Sequence, residues 1–123
     1  MFSWLRRALG AASATSPRDA LLNEGLKLAM EWGQDFLEPV QGRLGTRHPD
    51  LSGDQLDELN ATCQAAMKFG HDFVYGLAQK SGGNTRYADF EPAMKARYPW
   101  VDAKNTARLF NQGMYYAWKD GYA

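Results

Sequence analysis

From residue 16 onward, apolar residues recur every third or fourth position, the period of helices with one buried face. Leu22, Leu26, Ala29 or Met30, Gly33 and Phe36 or Leu37 share one such face. Ser16 as N-cap, Pro17 in the first turn and Asp19 near the helix start predict a helix from Ser16 to Glu38, which Pro39 stops. Val40 to Arg47 reads as a short helix weakened by Gly42 and Gly45. Arg47-His48-Pro49-Asp50-Leu51 is a break, because proline pushes the residue before it towards extended geometry. Ser52 with Gln55 then forms a capping box for the longest helix, about Gly53 to Gln79, with Leu56, Leu59, Cys63, Ala66 or Met67, Gly70, Phe73 or Val74 and Leu77 along its seam. This three-and-four spacing predicts antiparallel bundle packing. Ser81-Gly82-Gly83-Asn84 ends the helix. Asp89 is the expected cap of a second short helix carrying Phe90, Met94 and Tyr98, with Pro92 in its first turn. Asp102 caps the last helix, whose seam uses Thr106, Leu109 or Phe110, Gly113 and Tyr116 or Ala117, ending near Lys119. No stretch alternates with period two. The expected class is all-α, a small helical bundle of three long helices joined by two short ones.

Two patterns recur. Ala29-Met30-Glu31-Trp32-Gly33-Gln34-Asp35-Phe36 matches Ala66-Met67-Lys68-Phe69-Gly70-His71-Asp72-Phe73 position for position, and Gly113-Met114-Tyr115-Tyr116-Ala117-Trp118 is a looser third copy. Separately, Arg97-Tyr98-Pro99-Trp100-Val101-Asp102 echoes Arg47-His48-Pro49-Asp50-Leu51-Ser52 at an offset of 50 residues (97 − 47), the mark of an internal repeat. Gly33, Gly70 and Gly113 fall on the three long seams. Since a mid-helix glycine costs about 1 kcal/mol, three of them imply close helix crossings, with Trp32, Phe36, Phe69 and Phe73 filling the space around them. Gly70→Leu is then expected to abolish cooperative unfolding.

Composition narrows the function classes. The 123 residues suit one domain, and 45% apolar residues are enough for a core. With 14 basic and 14 acidic residues the net charge is zero, which argues against a dedicated nucleic-acid binder. The single cysteine, Cys63, excludes an intramolecular disulfide and a thiolate-rich zinc site, and a cytoplasmic setting is the simplest reading. Residues 1–16 read as a flexible or short amphipathic segment ahead of a domain over 17–123. Arg6 and Arg7 follow the apolar cluster rather than precede it, so a secretory signal is not expected. Membrane contact through Phe2, Trp4 and Leu5 would be a weak anchor.

Two sets of residues carry candidate chemistry. Asp35 and Asp72 each follow a seam glycine by two positions, beside a Phe. Ion pairs with Arg47 and Arg97 are the simpler expectation, and an acid/base or metal-binding pair with His71 is the alternative. No metal-ligand motif is present, and no cofactor is expected. Cys63 and His71 lie about 80° apart around a helix, so they do not make a nucleophile and base, and Cys63 reads as core. The second set is the aromatic run at the chain's end. Tyr115 and Trp118, with Trp100, Arg97 and Arg108, exceed what one seam needs and are residue types enriched at interface hot spots. The leading expectation is a non-enzymatic protein-binding or regulatory module, of adaptor, inhibitor or immunity type, using that surface. A homodimer through the same face is a variant of it. The alternatives are a helical enzyme or small-ligand binder using Asp35, His71 and Asp72, and a peripheral membrane protein.

Overall fold

A computed structural model describes residues 15–123, and among them every regular element is helical. The elements are α1 (Pro17–Met30), α2 (Gln41–Arg47), α3 (Gly53–Ser81), a 3₁₀ turn (Gly82–Asn84), α4 (Tyr87–Arg97) and α5 (Ala103–Lys119). The fold is all-α, with three long helices and two short ones. Expectations that fall on residues 1–14, including membrane contact by Phe2, Trp4 and Leu5, lie outside the described residues.

Local chemistry fixes most helix ends. The Ser16 hydroxyl accepts from the Asp19 amide at 3.0 Å, and Ser52 and Gln55 close the capping box in both directions. The Asp102 carboxylate accepts from the Asn105 amide at 2.8 Å. At the far end of α5, Gly121 takes φ 89°, so the Tyr122 and Gly121 amides reach the Ala117 and Trp118 carbonyls. The two X-Pro breaks share one backbone form. His48 and Tyr98 have φ −133° and −132°, both with ψ 72°, and each carbonyl accepts an amide three residues on at 3.1 Å. The residues buried at these positions also repeat at 50, Val40 and Leu44 against Phe90 and Met94.

The long helices run parallel, not antiparallel. Glu58 on α3 pairs with Arg18 and Cys63 Sγ donates to Leu22 O, so α1 and α3 advance together. Gly70 faces Leu109 and Gly113 faces Val74, so α3 and α5 advance together too. The short helices make the return journeys. The Val40 amide meets Asn60 Oδ1 while Gly45 packs on Leu56, and Phe90 meets Phe73 while Tyr98 meets Phe69, both descending α3. Hydrophobic spacing defines a face but not a direction, and seven- and eleven-residue helices are long enough to reverse the chain.

Several expectations fail for stated reasons. The first helix stops at Met30, eight residues before Glu38. Arg43 Nη1 takes the Leu28 carbonyl at 2.8 Å, and its other terminal nitrogen reaches the Asp35, Glu38 and Pro39 carbonyls, so α1's C-terminal carbonyl and those of the following loop acquire a donor from α2. Gly33 is therefore not a crossing glycine. It sits in that loop at φ 121°, with open space where a side chain would be. The close approach of α1 occurs at Gly25, where an added Cβ would lie 2.9 Å from Cys63 Sγ. Trp32 is consequently exposed rather than packed at a crossing. The two copies of the Ala-Met-x-aromatic-Gly motif occupy different structures, a helix end with its loop in one case and mid-helix in the other. The helix after the Gly-Gly loop starts at Tyr87 with Arg86 in the cap position, and Asp89 pairs with Arg86 at 2.9 Å instead of capping. Pro92 therefore lies inside it, beyond the first turn.

Candidate binding surface

α1 and α5 both pack mainly on α3 and touch each other lightly, which leaves a groove between them. Two amide bridges form its floor. Near the start of both helices, Asn23 Nδ2 donates to the Asp19 and Trp100 carbonyls, while its Oδ1 accepts from the Asp102 amide (2.9 Å) and from Asn105 Nδ2 (3.0 Å). Further along, Gln112 Nε2 donates to Met30 O at 2.7 Å and Gln112 Oε1 lies 2.9 Å from His71 Nε2. A carbonyl can only accept, so the Gln112 nitrogen faces Met30, its oxygen faces His71, and His71 Nε2 carries a proton. Asn23, Asn105 and Gln112 are all buried, and each has partners, as buried amides require.

Above this floor lie three adjoining cavities. The first, about 790 Å³, is walled by Asn23, Glu24 and Lys27 on one side and Trp100, Asp102, Lys104, Asn105 and Arg108 on the other. The second, about 540 Å³, is bounded by Trp32, Lys104, Ala107, Arg108, Asn111, Gln112 and Tyr115. The third, about 380 Å³, joins Lys27, Met30, Glu31, Trp32 and Arg108. Lys27, Lys104 and Arg108 thus line the groove from both sides, and none has an ion pair among the described residues. The acids nearby are partly engaged. Glu24 pairs with His48 at 2.8 Å and Arg47 at 3.4 Å, and Asp102 caps α5. No acidic side chain borders the middle section.

An aromatic cluster closes one end. Trp32 stacks on Phe36 (4.5 Å between centroids) and meets Tyr115 edge-on (5.5 Å). Phe36 stacks on Tyr116 and Tyr115 contacts Trp118 (6.0 Å). Trp32 is 60% exposed, Trp118 63% and Tyr115 43%. Of the five residues expected at this surface, Trp100 and Arg108 line the groove, Tyr115 and Trp118 belong to the cluster at its end, and Arg97 lies elsewhere. The Arg97 guanidinium stands over the Phe69 and Tyr98 rings on the α3–α4 side. Trp32, Lys27 and Lys104 were not among the expected residues. Trp32 was hidden by the expectation that it fills space at a helix crossing, and the two lysines carry no sequence signal beyond their charge.

The alternative polar set is dispersed into separate bonds. Asp72 is exposed and pairs with Lys68 one turn back on α3, while Arg97 engages rings and Arg47 engages Glu24. The Asp35 carboxylate, exposed in the loop after α1, has no partner among the described residues. His71 is half-buried, bonded to Gln112 and edge-on to Tyr116, and burial lowers its pKa below 6.5, opposed by the Gln112 hydrogen bond and by Asp72. Among the described residues no three His, Cys, Asp or Glu side chains gather in a way that would hold a metal, and no helix is long and apolar enough to cross a membrane. Cys63 is buried and donates to Leu22 O, and burial pushes its thiol up to about 12, which removes thiolate chemistry at neutral pH.

Comparison with protein families, curated proteins and solved structures finds no match to this chain.

Proposed function

We propose that the protein is a non-enzymatic binding module whose partner is another protein, engaged by the aromatic cluster and the α1–α5 groove. The observation that carries this reading is the exposure of Trp32, Tyr115 and Trp118 in one connected cluster. Burying a large aromatic side chain releases ordered water over a wide apolar area, and leaving three together on a surface costs that gain unless something covers them. Tryptophan, tyrosine and arginine are also the side chains that most often dominate interface energetics, and Arg108 adjoins the cluster. A cytoplasmic setting belongs to the same proposal and rests on the single cysteine.

The test is affinity capture from the producing organism with wild-type protein and a Tyr115→Ala/Trp118→Ala variant whose circular dichroism is native. A captured protein is then purified and titrated against both forms by calorimetry. Binding to wild type that weakens at least tenfold in the variant supports the reading. Equal binding by both forms refutes this surface. Sedimentation of the wild-type chain alone, with a concentration-dependent dimer lost in the variant, would assign the face to self-association.

A further inference from the structure

Resting on that reading, we propose that the groove seats an acidic amphipathic helix of the partner, its carboxylates on Lys27, Lys104 and Arg108 and its apolar face on Trp32 and Tyr115. Helix-in-groove recognition needs a straight trough with an apolar anchor point and matching charges. The groove runs beside α1 from Asp19 to its end at Met30, 11 steps (30 − 19) or about 17 Å at 1.5 Å per residue, so it takes about three helical turns, with Trp32 just beyond. Lys104 and Arg108 are one turn apart on α5, and Lys27 shares the groove's width with Arg108. Acids at i and i+4 on an incoming helix present the same one-turn spacing. Trp32 and Tyr115 then take the apolar residue at the groove's end.

Charge arrangement favours this occupant over a nucleic acid. A phosphate chain is uniformly negative and would run past Asp19, Glu24 and Glu31 on the same rim. A helix places its carboxylates only where the cations are. The zero net charge gives no long-range attraction for a polyanion.

The test is selection of a random 16-residue phage-displayed peptide library on the full chain, followed by fluorescence anisotropy with the enriched peptides as synthetic probes. The expected result is a consensus with two acids one turn apart beside a large apolar residue. The peptide should gain helical circular dichroism on binding, and affinity should fall at least tenfold in Lys27→Glu/Lys104→Glu. Both positions are exposed, so this variant should fold. Arg108→Gln, half-buried, is a second variant judged only with a native melting curve. Enriched peptides without acids, lost in Trp32→Ala but unaffected by Lys27→Glu/Lys104→Glu, overturn the charge assignment while leaving the protein-binding reading intact. Failure to enrich any peptide overturns the helix proposal. So does tighter binding of a fluorescein-labelled 15-nucleotide uridine oligomer that is lost in Lys27→Glu/Lys104→Glu, which would reassign the groove to nucleic acid.

Discussion

His71 reports on burial through its titration. The folded chain holds the imidazole neutral because taking its charged form out of water is unfavourable, and neither the Gln112 hydrogen bond nor the nearby Asp72 carboxylate offsets this. The unfolded chain takes up the proton near 6.5, so the stability that His71 contributes is present above that pH and is lost as pH falls through and below it. Urea unfolding of wild type and His71→Gln from pH 8 to pH 5 should show wild type losing more stability than the variant. Parallel curves would mean the imidazole protonates freely in the folded state. The same scale holds a packing test. A Cβ on Gly113 would sit 2.6 Å from Val74 Cβ, closer than real contacts allow, so Gly113→Ala should cost about 1–3 kcal/mol as an overpacked crossing. Adding Val74→Gly removes that Cβ, and the double variant should be more stable than the sum of the single effects implies. Additive losses would place the strain somewhere other than this contact.

Elements whose ends are set by local chemistry were legible in the sequence, and those set by distant residues were not. Ser52, Gln55 and Asp102 act within one turn of themselves, and both Pro breaks fall where the chain demanded them. Ser52→Ala and Asp102→Ala should each lower stability by about 1 kcal/mol, the usual loss for an N-cap. The end of α1 was illegible because Arg43 supplies its donor from another element, and nothing in residues 31–38 records that. Arg43→Met should therefore strip the Leu28 carbonyl of its side-chain donor and leave it only the long Glu31 amide contact, at a cost of about 1–3 kcal/mol. Amide hydrogen exchange should quicken at Leu37, whose N–H bonds back to Ala29 O, while the α5 amides hold. Uniform quickening would show that Arg43 stabilises the whole fold instead of this turn. Part of the proposed binding surface was legible too. Tyr115, Trp118, Trp100 and Arg108 stood out by residue type near the chain's end. Lys27 and Trp32 join them only because α1 lies parallel to α5, an arrangement no periodicity encodes.

At the scale of the whole molecule, α3 is the axis on which α1 and α5 are laid, and the two amide bridges fix how far apart they stand. The amides of each bridge are buried beneath the groove, so breaking one leaves buried polar atoms without partners. Gln112→Leu orphans both Met30 O and His71 Nε2–H, and Asn23→Leu orphans the Trp100 carbonyl, the Asp102 amide and one Asn105 donor. Each should cost about 2–3 kcal/mol, against a negligible change for exposed Asn111→Leu. Asn23 and Gln112 are reached from residues seven apart on both helices, Asn23 to Met30 and Asn105 to Gln112, so the bridges stand about 10 Å apart with α3 behind both. Sites so separated and without a shared partner normally add, so the double variant should lose the sum of the two within about 0.5 kcal/mol. A much smaller loss would mean that α1 and α5 separate as a unit once either bridge fails, and that the groove opens all along its length. Additivity would instead leave each end of the groove held by its own bridge. In that case Gln112→Leu should weaken partner binding through Trp32 and Tyr115 while Asn23→Leu, at the far end, leaves those aromatic contacts in place.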